Sequence, residues 1–185
     1  MNKKLFISLA MAAMLLTACN SSEKKAADAN DTTTEIAEAE NSEAEGSQQL
    51  FEDFTQADLD GKEVSALEYI KGNKLTIVDF WASWCPPCVR EIPNIKAIYE
   101  ANKDNGLGVL SISLDNDASA WKGAIDKHGM NWKHVSDLKG WENAAAKQYG
   151  VQSIPFMMVV DGEGKIIAQD VRGEELKKVI EDFFK

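Results

Sequence analysis

The stretch Leu75-Thr76-Ile77-Val78-Asp79-Phe80-Trp81-Ala82-Ser83-Trp84-Cys85-Pro86-Pro87-Cys88 decides how this chain reads. Its first seven residues form an apolar run, interrupted only by Thr76 and Asp79, of the length of a buried strand. Beyond the cysteines, Val89, Ile92, Ile95, Ile98 and Tyr99 trace a helical stripe. Two cysteines separated by two residues therefore stand at a strand-to-helix junction, where a disulfide closes at little backbone cost. The first sits where helix-terminal N–H groups and the macrodipole favour a thiolate over a thiol. That pattern points to redox exchange, with Cys85 as the more exposed, attacking thiolate and Cys88, one turn in, as the resolving thiol. Pro86 has no N–H and a pre-set φ, which suits the first helical turn, and Pro87 stiffens the same junction. Half of a zinc site is the alternative, but only His128 and His134 could complete it, at non-standard spacing.

Working outward, Phe51 to Phe54 and Lys62 to Val64 flank Asp60-Gly61, a hairpin-type turn. Lys74 to Trp81 and Gly108 to Leu114 read as buried strands, and Lys133 to Val135 as a short one. Trp121, Ala124, Ile125 and His128 suggest a helix, and Trp141 to Tyr149 a shorter one stopped by Gly150. Phe156 to Val160 and Lys165 to Ala168 flank Asp161-Gly162-Glu163-Gly164, a β-hairpin. A final helix opens at Glu174-Glu175, with Leu176, Val179, Ile180, Phe183 and Phe184 on its core face. Strands alternating with helices, then a hairpin and a closing helix, predict a three-layer α/β/α sandwich on a mixed sheet.

With these motifs in place, residues 48–185 resemble the thioredoxin superfamily. Pro93, five residues after Cys88, matches the proline that kinks the helix behind the active site. Ile154-Pro155 before an apolar strand matches the cis-proline loop, and the last hairpin and helix match the final units of the fold. Within that superfamily the chain is similar to the TlpA/ResA-like membrane-tethered thiol–disulfide oxidoreductases, through its N-terminal β-hairpin (Asp53 to Val64) and a helix-strand insertion between Asp115 and Trp141. The resemblance implies a cis Pro155 beside the cysteines, leaving the Ile154 backbone free to pair with an extended substrate. It also implies two acids able to move the proton of Cys88. Asp79, on an otherwise apolar strand where burial should raise its pKa, matches the buried acid of thioredoxins. Glu91 matches an acid of ResA-like proteins, with a solvated helix-surface charge as the alternative. Two departures stand out: Phe156 follows Pro155 where thioredoxins usually carry Thr, and the second strand offers Asp79 no lysine. Trp81, Trp121, Trp132 and Trp141 read as core and surface packing, whereas Trp84 is placed to contact substrate.

The N-terminus reads as a targeting segment. Lys3 and Lys4 precede a twelve-residue apolar run, Leu5 to Leu16, which is shorter than the roughly 20 residues a bilayer requires. Leu16-Thr17-Ala18-Cys19 resembles the lipobox of bacterial lipoproteins, which implies loss of residues 1–18 and acylation of Cys19. An ordinary signal peptide with an incidental cysteine is the alternative. Residues 20–47 hold eight acids, two lysines and Ile36 as the only large apolar side chain. They read as a disordered tether, with a reach on the order of 30 Å. The expected order is thus signal peptide 1–18, lipidated Cys19 with tether 19–47, and thioredoxin-like domain 48–185. The net charge of −10 argues against a nucleic-acid partner and against electrostatic adhesion to anionic lipid. Three cysteines in all rule out a disulfide-stapled scaffold.

The expected activity is thiol–disulfide exchange on exported proteins from the cell envelope, by a monomer that needs no cofactor and no metal. The family resemblance implies a reductant, recharged by a membrane electron-donor protein and delivering electrons to exported disulfides such as apocytochrome cysteines. A redoxin-type peroxidase is the runner-up, although Ala82 stands where that chemistry wants Thr or Ser. A Cu(I) chaperone is a third possibility, weakened by the lack of Met or His beside the pair.

Overall fold

The computed structural model describes residues 49–185; the signal segment, Cys19 and the acidic tether lie outside the described residues. The elements in chain order are β1 (Thr55–Ala57), β2 (Glu63–Ser65), α1 (Ala66–Lys71), β3 (Leu75–Trp81), α2 (Pro86–Asn102), β4 (Leu107–Ser113), α3 (Ala118–His128), β5 (Lys133–Val135), α4 (Ala144–Gln148), β6 (Phe156–Asp161), β7 (Ile166–Gln169) and α5 (Gly173–Phe183). Every residue of β3 and β4 is buried, as expected for strands covered on both faces. They pair in parallel, Leu75 opposite Leu107 through Trp81 opposite Ser113, a connection that needs a crossover helix, supplied by α2. The sheet runs β5-β4-β3-β6-β7, with β6 and β7 antiparallel to their neighbours.

Side-chain alternation sends β3 residues to two layers. Leu75 and Ile77, with Val109 of β4 and Met157 and Val159 of β6, meet Ile95 and Ile98 of α2 and Leu176 and Ile180 of α5. Val78 and Phe80 face the opposite layer with Ile70, Trp121, Ile125 and Ala146. By the same alternation Asp79 shares the layer of Leu75 and Ile77, under the helix that carries the cysteines. The expected mixed-sheet sandwich is therefore the observed fold.

Three local expectations are corrected. The first hairpin strand lies at Thr55–Ala57, because Phe51 and Phe54 leave extended pairing to pack into the core and stack near Tyr149. The helix α1, unforeseen in Ala66–Lys71, starts at Ser65, whose hydroxyl accepts the Glu68 N–H, and buries Ala66 and Ile70. The single helix expected over Trp141–Tyr149 is a 3₁₀ turn at Gly140–Glu142 followed by α4. Asn143 breaks the run by capping α4, accepting from Ala146 N–H at 3.0 Å. Its buried amide also pairs reciprocally with Gln56, at 3.0 and 3.2 Å, tying β1 to this insertion.

The segment from Gln49 to the end of β1 touches both borders of the sheet. Beside β7, Phe51 N–H donates to Gly164 and Ile166 N–H to Gln49, and Leu50 bridges Lys165. Beside β5, Ser136 N–H donates to the Ala57 carbonyl.

Candidate active site

The apolar strand β3 ends at Trp81, and Ala82 to Trp84 turn the chain into α2. Cys85 is the N-cap of α2, with Pro86 and Pro87 in the first two helical positions, where a missing N–H costs nothing. Cys85 and Cys88 are joined in a disulfide with Cα atoms 5.3 Å apart. The Cys88 N–H donates to Cys85 Sγ at 3.2 Å. This donor and the helix N-terminus both direct partial positive charge at Cys85 Sγ. Cys85 is the more exposed of the two, as expected, but by little: 4% of it is exposed, against 2% for Cys88. The neighbouring Trp84, Pro86 and Pro87 carry the exposure instead.

Three features hold the turn. Asp115, buried at the end of β4, accepts from the Ser83 N–H at 3.0 Å, from the Ser83 hydroxyl and from the Ser113 hydroxyl at 2.6 Å. Across from it the Ile154–Pro155 bond is cis, and the Ile154 carbonyl oxygen lies 3.7 Å from Cys85 Sγ. Neither atom carries a hydrogen in the disulfide state, so this is a van der Waals contact. Among the described residues the Ile154 backbone N–H donates to no protein acceptor. Trp84 and Trp141 lie with ring centroids 6.2 Å apart and are each about half exposed, a two-ring apolar surface beside the disulfide. Trp141 was expected merely to pack. The 3₁₀ turn, reached through Leu138 and Gly140 at positive φ, brings it instead beside Trp84.

Asp79 is fully buried and its carboxyl is pushed up to about 7, chiefly by desolvation; the nearby Glu91 charge adds to this and a Ser111 hydrogen bond opposes it. The lysine missing from β4 is replaced by a hydroxyl: Ser111, opposite Asp79 in the parallel ladder, donates to Asp79 Oδ2 at 3.1 Å. The Trp132 indole N–H donates in turn to Ser111 Oγ at 2.9 Å. Among the described residues Asp79 Oδ1 has no partner. Glu91 is neither free nor simply solvated. Its Oε1 accepts the Gly173 N–H at 2.8 Å and the Asn94 amide at 2.7 Å, capping α5, whose own N-cap Arg172 offers no side-chain acceptor. His134, needed for a zinc site, is buried with Nε2 3.2 Å from the Met130 carbonyl, and burial pushes its pKa down to about 4. Ser111, Trp132, Asp115 and Trp141 were missed by sequence reasoning, since their roles depend on strand register and loop path.

Comparison with known proteins agrees with this geometry. Residues 44–182 match the redoxin family model. The thiol-disulfide oxidoreductase ResA of Bacillus thuringiensis is 31% identical over 132 residues, covering 71% of this chain and 73% of that protein. The solved thiol-disulfide oxidoreductase of Bacteroides fragilis superposes with a TM-score of 0.68 at 31% identity, covering 73% of this chain and 99% of that one. The thioredoxin domain of a Bacteroides vulgatus thiol-disulfide oxidoreductase gives 0.68 at 31%, covering 75% and 97%. A buried Cys-Pro-Pro-Cys disulfide on a thioredoxin-like sheet, with these relatives, makes the chain a member of the redoxin family, of its ResA-type thiol–disulfide oxidoreductases.

Proposed function

We propose that the protein acts as a reductant of disulfides in exported proteins, held at the envelope by acylated Cys19 and recharged by a membrane electron-donor protein. The observation that carries the exchange reading is the Cys85–Cys88 disulfide seated at the head of α2 against the Ile154 carbonyl. In the reduced enzyme the Cys85 thiolate attacks one sulfur of a substrate disulfide, forming a mixed disulfide and expelling a substrate thiolate. Cys88 then loses its proton to Asp79 and attacks Cys85 Sγ. The enzyme disulfide closes, the second substrate thiolate leaves, and two electrons have passed to the substrate. An acid titrating near neutrality suits this step, being ionised often enough to accept and protonated often enough to return the proton. The unpaired Ile154 N–H and the Trp84 ring support an extended polypeptide lying across the site, flanked by Pro86, Pro87 and Pro155. Glu91 acts on the reaction only through the field it places on Asp79. Working as a monomer, the chain would need no nucleic-acid partner.

Among the described residues no helix is long and apolar enough to cross a membrane. Attachment through Cys19 therefore rests on the Leu16-Thr17-Ala18-Cys19 pattern, and metabolic labelling with a palmitate analogue, lost in Cys19→Ser, is its test. Direction is tested by equilibrating the Cys85–Cys88 pair against glutathione. A potential below about −200 mV is expected, on the reducing side of the isomerase range. A value near −120 mV, typical of a strong oxidant, would overturn the reductant assignment. The ResA name carried by the relatives points away from peroxide chemistry, as does Ala82, which lies fully buried without a hydroxyl.

A further inference from the structure

We propose that Ser111 and Trp132 are positioning residues that commit Asp79 Oδ2 to accepting a hydrogen bond, making Oδ1 the atom that carries the proton exchanged with Cys88. The inference rests on the reading of Asp79 as proton acceptor for Cys88 and assigns the oxygen that does it.

The argument follows from donor and acceptor inventories. An indole N–H can only donate, so at 2.9 Å the Trp132 Nε1 hydrogen occupies a lone pair of Ser111 Oγ. The Ser111 hydroxyl hydrogen then has one acceptor among the described residues, Asp79 Oδ2 at 3.1 Å. Were Asp79 protonated on Oδ2, Ser111 would have to donate to the hydroxyl oxygen of the acid, a poorer acceptor than its carbonyl oxygen, or turn its hydrogen away. The buried Ser111 hydrogen would then have a weakened acceptor or none, an outcome costlier than placing the proton on Oδ1. Oδ1 is free of any such commitment. The relay thus breaks the symmetry of the carboxyl group and directs its proton-bearing edge away from β4.

The surroundings keep this assignment clean. Asp79 lies opposite uncharged Met157 on β6, and α5 brings Leu176 and Ile180 to the same layer. From α2 the charged neighbour is Glu91, which raises the tendency of Asp79 to hold its proton. Behind Trp132 stand Tyr99, edge-on at 5.8 Å, and His134, stacked at 5.7 Å. His134 stays neutral above about pH 5, since its pKa is held near 4.

Infrared difference spectra between pH 5 and pH 9, with the Asp79 band identified by its loss in Asp79→Asn, test the assignment. With the proton on Oδ1 the carbonyl oxygen is Oδ2, which is hydrogen-bonded. Ser111→Ala should therefore move the protonated C=O stretch to higher frequency, and Ser111→Thr, which keeps the hydroxyl, should restore it. The Asp79 titration should rise by about one pH unit or more in Ser111→Ala, because a hydrogen bond to the carboxylate is lost. Trp132→Phe should raise it by less, since the hydroxyl remains but is no longer oriented. An unchanged stretch and titration in a folded Ser111→Ala, or an unchanged titration in Trp132→Phe, overturns the proposal.

Function is read with 5,5′-dithiobis(2-nitrobenzoate) as the probe. Cys85 attack releases a first nitrothiobenzoate, and Cys88 attack on the mixed disulfide releases a second. A one-unit rise at Asp79 should slow the second release about fivefold at pH 7 and leave it unchanged at pH 9. If Asp79→Asn leaves the pH profile of the second release intact, the proton-acceptor reading fails, whatever the infrared bands show.

Discussion

Replacing Asp79 with Asn should make the protein more stable, and only at the upper end of the pH range. In the folded chain burial lifts Asp79 from the ordinary 3.8 to about 7. Between those values the native state holds a proton that the unfolded chain has released. Stability therefore falls as pH rises through the window, and the loss is complete above about pH 7. Three pH units at 1.36 kcal/mol each amount to about 4 kcal/mol, undiminished by solvent screening because the carboxyl is fully buried. Asn keeps the shape and the acceptor for Ser111. It places an amide N–H₂ where Oδ1 has no partner, as the protonated acid places an O–H, so the two should match at pH 4. The stability of the variant relative to wild type should then rise by about 2–4 kcal/mol between pH 4 and pH 8. His134 titrates with the opposite sign: its depressed pKa gives stability that is present above 6.5 and lost as pH falls toward 4. The two slopes overlap and cancel in the wild-type curve, so the difference between the two proteins is the quantity to measure. Urea unfolding of the oxidised form in half-unit pH steps reads it as a midpoint shift of about 1–2 M at pH 8. A difference that is flat with pH, or a variant less stable than wild type at pH 8, refutes the account of Asp79.

Other outcomes follow from the site. Cys88→Ser leaves Cys85 able to attack but nothing to resolve the product, so mixed disulfides through Cys85 should accumulate in an envelope extract; non-reducing gels showing none would argue against protein substrates. Glu91→Ala should cost about 1 kcal/mol of stability by uncapping α5, while Glu91→Gln, which keeps an acceptor for Gly173 N–H, should cost a few tenths. Both should lower the Asp79 titration, since the Glu91 charge raises it; carboxyl ¹³C shifts report that directly. Trp84→Ala and Trp141→Ala should each reduce kcat/KM for insulin reduction about threefold to tenfold, the worth of an aromatic contact. The rate with the small disulfide reagent should stay unchanged, and an equal loss with both would move these rings from substrate contact to structural support.

How much of this was legible beforehand differs from residue to residue. The buried strands, the α2 stripe and the Cys-Pro-Pro-Cys junction were readable because apolar periodicity and proline chemistry act locally. Asp79 stood out because an ionisable group on an apolar strand is costly wherever the strand goes. Its partner did not. Ser111 is an ordinary serine until the β3–β4 register sets it opposite Asp79, and register is a tertiary fact. The same holds for Glu91, whose spacing from Cys88 was visible but whose bond to Gly173 joins helices 82 positions apart. Phe51 and Phe54 misled in the opposite sense: flanking a turn, they read as strand, yet burial of two rings outweighed the pairing of a short hairpin. Asn143 could have been found, being a good capping residue directly before three alanines.

The short chain segment around Gln49 to Ala57 has a wider consequence. An open five-stranded sheet ordinarily offers two rows of unused backbone donors and acceptors, each a template for another chain's strand. Here one pass of polypeptide blunts both, at β7 through Gln49 and Phe51 and at β5 through Ala57. Left bare, such margins would invite other chains to add along them and polymerise. With both margins partly occupied, the Ile154 N–H beside the sulfurs is a donor that a stray strand still finds unused among the described residues. The fold thereby lessens a general aggregation hazard at its margins while leaving backbone open beside the sulfurs.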